Sequence, residues 1–202
     1  MMDRYPHLDQ FDTKMTTHGL DGMVIETFKG YYRDVVDGAT GIIGDDTIRP
    51  PAAREVVAAA DLNAHRETGR RIGPQAVRIT LNGGLGTSMG LRGPKSLLPV
   101  REKMTFLEII MRQAACGGIR QVFMNSFNTH TETLKALAAI PHETAPLTFI
   151  QNKFPKIRQD DLKPAEYPQA PDLEWNPPGH GDSYTAMQTS GVLDQLLAHG
   201  CR

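Results

Sequence analysis

Apolar residues along this chain follow two rhythms, and the change between them falls near residue 75. Within 21–36, Val24, Ile25, Phe28, Tyr31, Tyr32 and Val35 recur at the three- and four-residue spacing that gathers side chains on one helix face. The Ala-rich run at 54–66 also favours helix, because alanine loses no side-chain entropy on ordering. Gly38, Gly41, Gly44 and Pro50-Pro51 separate the two. The pattern predicts a helical N-terminal arm over residues 1–72. Its aromatic stripe reads as core or as a surface docked on the rest of the chain, since amphipathic spacing carries no chemistry of its own.

Beyond residue 75 short β-branched runs alternate with helical patterns. Residues 76–81 form an alternating strand that runs into a glycine-rich turn. Thr105 and Glu108 make a capping-box pair opening an apolar-faced helix over 106–115, which Gly117-Gly118 ends. A second strand follows at 121–125. Asn128 or Thr129 can cap the next helix, with Leu134, Leu137 and Ile140 on its inner side, and 147–151 is the third strand. Asp182 is placed to cap a later helix. This order predicts an α/β fold with a mostly parallel sheet flanked by helices, its ligands gathered beyond the carboxyl ends of the strands.

Composition narrows the classes. The chain has 202 residues, 40% apolar and 22% charged, enough for one substantial core and one or two domains. No apolar run approaches the roughly 20 residues that span a bilayer, and the first residues lack a signal-peptide core, so no membrane association is expected. With only Cys116 and Cys201, no disulfide framework is suggested and a cytoplasmic setting is expected. A net charge of −1 argues against a nucleic-acid surface. No His/Cys spacing fits a zinc site, and no metal-ligating residue is assigned.

The densest chemistry lies at 81–96, Leu-Asn-Gly-Gly-Leu-Gly-Thr-Ser-Met-Gly-Leu-Arg-Gly-Pro-Lys-Ser. Five glycines allow backbone N–H groups to converge on an anion, and Pro94 restricts the chain just before Lys95, a compact positive charge. The alternative is a plain glycine-rich surface loop. Two familiar phosphate loops are excluded by counting. Pro94 stands where the Walker pattern needs glycine, and Met89 where the dinucleotide fingerprint needs its third small residue. The tip of the second strand, Met124-Asn125-Ser126, also lacks a ribose-binding acid.

These residues resemble the eukaryotic-type UTP–glucose-1-phosphate uridylyltransferase (UDP-glucose pyrophosphorylase) family, whose nucleotide loop is nearly identical to 81–96. Three further blocks occur in the same order: 124–130 (Met-Asn-Ser-Phe-Asn-Thr-His), 149–157 (Phe-Ile-Gln-Asn-Lys-Phe-Pro-Lys-Ile) and 175–182 (Trp-Asn-Pro-Pro-Gly-His-Gly-Asp). The resemblance implies a Rossmann-like nucleotidyltransferase, with 73–202 the N-terminal part of its catalytic domain. It implies uridylyl transfer from UTP to glucose 1-phosphate with Mg2+ as cofactor. Lys95 would be the catalytic charge stabiliser. Leu81, Asn82, Gly83, Gly84 and Lys95 would line the nucleotide, Gln151 and Gly179 would meet the base, and His180 the sugar phosphate.

Lys153, Lys156 and Arg158 read either as phosphate contacts or as a solvated basic edge, and Trp175 as a sugar-stacking wall or a buried anchor. Family members continue beyond the equivalent of Arg202 into a strand bearing a metal-binding aspartate, a second lysine and a β-rich domain. The resemblance therefore implies a fragment incomplete at its C-terminus, whose sheet has an exposed edge and an uncovered apolar face. A non-catalytic uridine-nucleotide-binding module stays open as an alternative. So does an enzyme of the UDP-N-acetylhexosamine pyrophosphorylase type, although that class carries arginine after the loop threonine where Ser88 follows Thr87 in this chain. Neither sugar specificity nor oligomeric state is fixed by the sequence.

Overall fold

Parallel strands form the centre of the fold, close to the positions that the alternating pattern predicts. A computed structural model of the chain describes residues 4–86, 90 and 93–202. Strands β1 (Val77–Asn82), β4 (Arg120–Asn125) and β5 (Leu147–Ile150) make one sheet in the order β1-β4-β5. β1 runs parallel to β4 from Val77↔Arg120 to Asn82↔Asn125, and β4 parallel to β5 from Val122↔Leu147 to Asn125↔Ile150. The register brings all three carboxyl ends level. The central strand is buried from Gln121 to Asn125, as expected of a strand covered on both faces.

Alternation along β4 divides the core in two. Phe123 points to α4 (Phe106–Gly117) and α5 (His130–Ala139), where Leu107, Met111 and Leu137 pack against it. Val122 and Met124 point the other way, to Ala186 of α6 (Ser183–Thr189) and to Val192 and Leu196 of α7 (Val192–Ala198). The expected uncovered face is thus corrected: α6 and α7 double back over it. β1 and β5 are the outer strands, and among the described residues β1 has no strand on its outer edge.

Local signals explain where these helices begin and end. Thr105 Oγ1 accepts from the Glu108 N–H while the Glu108 carboxylate accepts from the Thr105 N–H, the reciprocal cap read from the sequence. Gly118 closes α4 at φ 60°, a left-handed turn that suits glycine. Just before α4, β2 (Pro99–Arg101) and β3 (Met104–Thr105) form a small antiparallel hairpin.

The N-terminal segment folds as α1 (Leu8–Thr17) and α2 (Gly22–Val36), the latter capped by the Asp21 side chain accepting from Met23 N–H. Phe11, Met15, Val24, Ile25, Phe28 and Tyr32 pack with Phe154 and Trp175 in a third core. Those last two belong to β6 (Phe154–Pro155) and β7 (Trp175–Asn176), an antiparallel pair. Tyr31 and Val35 are exposed, because the inward stripe of α2 runs through Val24, Phe28 and Tyr32 instead.

Two expectations of the helical pattern fail. The Ala-rich run at 54–66 is not an α-helix but a series of 3-10 turns, Ala53–Glu55 and Ala59–His65, leading into the short α3 (Arg66–Ile72), and it buries no residue. Alanine favours helix without supplying an apolar face, and short helices depend on such a face for stability. In α5 the buried positions are Thr133, which bonds inward to Asn82 and Thr129, and Leu137, so that Leu134 is turned outward and exposed. No helix among the described residues is long and apolar enough to cross a membrane.

Candidate functional site

The glycine-rich segment leaves β1 and folds back on itself as a narrow ribbon at the carboxyl end of the sheet. Gly86 N–H donates to Gly93 O at 3.1 Å and Lys95 N–H to Gly84 O at 3.1 Å, and Leu85 bridges Pro94. The return strand of the ribbon delivers Lys95 beside Gly84, where an added Cβ would lie 3.8 Å from Lys95 Cδ. Pro94 is buried, and Lys95 is exposed with no carboxylate partner among the described residues. Gly93 has its own constraint. A Cβ there would meet the Glu132 carboxylate at 2.8 Å.

Under the ribbon lies a polar network that the sequence did not reveal. Asn82 Nδ2 donates to Asn125 Oδ1 at 2.7 Å and to Thr133 Oγ1 at 2.9 Å. Thr129 Oγ1 donates to Asn82 O at 2.8 Å, and Ser126 Oγ to Gly83 O at 2.9 Å. Asn82, Asn125, Ser126, Thr129 and Thr133 are all buried. Thr129 was a candidate helix cap; its side chain caps nothing and serves this network instead. Asn125 Nδ2 lies 3.2 Å from His130 Nδ1. The available signal was the polar run 125–130 directly after a strand, in a block already singled out.

Gln151 directly follows β5, which ends one residue short of the expected 147–151, and its N–H donates to Asn125 O at 2.8 Å. Its amide crosses to the ribbon: a Cβ on Gly83 would lie 2.8 Å from Gln151 Nε2 and 3.4 Å from Ser126 Cβ. Gly83 is required by this close approach rather than by a positive φ, which neither it nor Gly84 adopts. Asn82, Gly83, Gly84, Lys95 and Gln151 therefore meet at one place. Leu81 precedes them in β1 with an exposed side chain.

Gly179 and His180 stand on a separate exposed loop, Gly179 at φ 108° and His180 opening a short 3-10 turn, His180–Asp182. One clamp ties that loop to the segment that follows β5. Both Asp182 oxygens are engaged by Asn152, one by its N–H at 2.6 Å and one by Nδ2 at 2.8 Å. The Asp182 side chain makes no capping bond to α6, which corrects the expected cap. Burial pushes its carboxyl above the usual aspartate range, against the lowering effect of the Asn152 bonds.

The remaining candidates divide plainly. Trp175 is buried and anchors the N-terminal helices, with the edge of His18 at 4.6 Å and Lys153 Nζ 4.5 Å above its ring. Arg158 pairs with Asp160 and Asp161 on the surface, and Lys156 is exposed. Thr87, Ser88 and Met89 of the loop, on which the distinction between pyrophosphorylase classes and the dinucleotide count rest, lie outside the described residues. No group of three His, Cys, Asp or Glu side chains that could hold a metal occurs among the described residues.

The sequence model of the family described as UTP–glucose-1-phosphate uridylyltransferase matches residues 25–202. UTP–glucose-1-phosphate uridylyltransferase 2 of Dictyostelium discoideum is 41% identical over 169 residues, covering 79% of this chain and 34% of that protein. The uridylyltransferase of Solanum tuberosum is 41% identical over 132 residues, covering 61% and 28%. Among solved structures, a UDP-glucose phosphorylase from Trypanosoma brucei superposes with a TM-score of 0.76 at 37% identity, covering 96% of this chain and 42% of that one. A Leishmania major UDP-glucose pyrophosphorylase variant in complex with UDP-glucose gives 0.77 at 33% identity, covering 98% and 42%. The chain thus spans about a third of the length of these curated relatives.

Proposed function

The chain belongs to the UTP–glucose-1-phosphate uridylyltransferase family, and from that premise we propose that it binds UTP where β1, β4 and β5 end and serves uridylyl transfer to glucose 1-phosphate. A phosphate oxygen of the sugar attacks the α-phosphorus of UTP in line, the bond to the β-phosphate oxygen breaks, and UDP-glucose and pyrophosphate result. Such a transfer depends on alignment and on offsetting charge at the phosphoryl oxygens, not on a protein nucleophile.

One observation carries the reading. At Gly83 and Gly84 two successive backbone N–H groups find no acceptor among the described residues, and Lys95 enters beside them without an acidic partner. Free amides with an unneutralised ammonium make an anion seat. Gln151, held at Gly83, can donate and accept along the edge of uracil. Gly179 borders the base in this reading, and His180 meets the phosphate of the sugar. The backbone of Leu81 and Asn82 forms the floor.

The described side chains do not fit a protein-built Mg2+ site. Mg2+ would arrive on the triphosphate, and the roles of Lys95, Gly83 and Gln151 do not run through it. We further read the sheet and its helices as a Rossmann-like core over 73–202, with 1–72 as an arm. In support, α1 and α2 have a core separate from the two that flank the sheet. Two unpaired cysteines fit a cytoplasmic setting. Pyrophosphate release with UTP, Mg2+ and a panel of sugar 1-phosphates tests the reading: glucose 1-phosphate should lead the panel. UTP binding without release would favour a binding module, and no UTP binding would end both.

A further inference from the structure

We propose that Ser126 and Thr129 are positioning residues whose hydroxyls aim the Gly83 and Gly84 amides at the nucleotide phosphates. The inference rests on the nucleotide reading above and deepens it. A trans peptide is planar, with its C=O and N–H pointing in opposite directions. Thr129 holds the Asn82 carbonyl and Ser126 the Gly83 carbonyl, so the N–H groups of Gly83 and Gly84 are turned away from the buried network.

Proton counting fixes these roles. Each hydroxyl has one proton. The Ser126 proton goes to Gly83 O and the Thr129 proton to Asn82 O, while Thr129 Oγ1 also accepts from Ser126 N–H at 3.0 Å. With both protons so placed, the 3.2 Å approach of the two hydroxyls carries no proton, and either could donate to the other only by giving up its loop carbonyl. Thr129 is itself fixed, because its carbonyl accepts from Thr133 Oγ1, which in turn accepts from Asn82. The loop backbone of two residues is therefore set from below by side chains that never touch the ligand. A glycine pair left free would instead sample many peptide orientations.

The test compares UTP with uridine on the 15N-labelled chain carrying Ser126→Ala, Thr129→Val or Thr129→Ser. UTP affinity should fall about tenfold or more in the first two, the loss expected when hydrogen bonds to charged phosphates are misdirected. Uridine, read through Gln151, should bind all variants alike, and Thr129→Ser, which keeps the hydroxyl, should restore UTP binding. In the wild type, tripolyphosphate should shift the Gly83 and Gly84 amide resonances. A general packing role would weaken UTP and uridine together, and that result overturns the proposal, as does full UTP affinity in the hydroxyl-free variants. Amide resonances unmoved by tripolyphosphate in a wild type that binds UTP also overturn it. A wild type that binds neither UTP nor uridine sinks the nucleotide reading itself, and the positioning role with it.

Discussion

At Gly83 the space for a Cβ is already occupied. Gln151 Nε2 would stand 2.8 Å from it, and Gln151 is buried, so its amide cannot simply swing aside. Gly83→Ala should therefore cost about 1–3 kcal/mol in overpacking and displace the group assigned to uracil. Titration with uridine should show weakened binding, and unchanged uridine affinity would remove Gln151 from that role. Lys95 makes the opposite case, since an exposed side chain without an ion pair among the described residues contributes little to folding. Lys95→Ala should keep the wild-type melting temperature and lower the rate of pyrophosphate release by about 10²–10³, the scale of losing one charge-stabilising donor. Both residues were legible in the sequence, because glycine and lysine at fixed spacing imply backbone approach and charge. Ser126 and Thr129 were not. A serine or threonine after a strand is common, and only the fold shows that each carries one carbonyl of the loop.

The elements were easier to read where a cap and an apolar stripe agreed, as in α4, than where one signal stood alone, as at 54–66. Asp182 illustrates a signal assigned to the wrong partner: the sequence suggested a helix cap, and the side chain instead joins two loops through Asn152. Removing it by Asp182→Ala leaves the Asn152 N–H in part-buried surroundings without an acceptor, at a cost of about 1–3 kcal/mol. The clamp also has a pH signature. Because burial raises the Asp182 pKa in the folded state, the folded chain holds that proton more tightly than the unfolded one. Its stabilising share is then complete below the ordinary aspartate value, about 4, and is lost as pH rises through the raised value. Paired carboxylates such as Glu174 and Glu108, lowered by their hydrogen bonds, act in the opposite sense. The difference between wild type and Asp182→Asn isolates the clamp. In thermal melts from about pH 3.5 to 7, the wild type should lose ground to Asp182→Asn as pH rises. A constant difference would assign the pH dependence elsewhere.

Across the whole molecule, the Gly83–Lys95–Gln151 cluster belongs to the sheet, while the N-terminal helices are held on the β6–β7 pair. The sequence showed the aromatic stripe of α2 but not its partners, since Phe154 and Trp175 lie far along the chain. Tyr32 is the keystone of that docking. Its ring packs 4.9 Å from Phe11, and its hydroxyl, fully buried, donates toward Pro6 O and Leu162 O, joining the chain before α1 to the segment between β6 and β7. Lys14 and Glu174 add an ion pair shielded from solvent on the same contact. Tyr32→Phe keeps the ring and strips the hydroxyl from the two carbonyls, so it should lower stability by about 1–3 kcal/mol. Trp175, the only tryptophan, reports directly on this contact and makes fluorescence in urea the suitable measurement. The same variant should bind UTP as the wild type does, because no residue of this core belongs to the Gly83–Lys95–Gln151 cluster. Coupling could run through Lys153, which lies over Trp175 and follows Gln151 by two residues, or through Phe127, which packs against this core and follows Ser126. UTP affinity that falls in step with stability would show that these short connections transmit the docking of the helices to the Gly83–Lys95–Gln151 cluster, and would make the arm part of the binding apparatus.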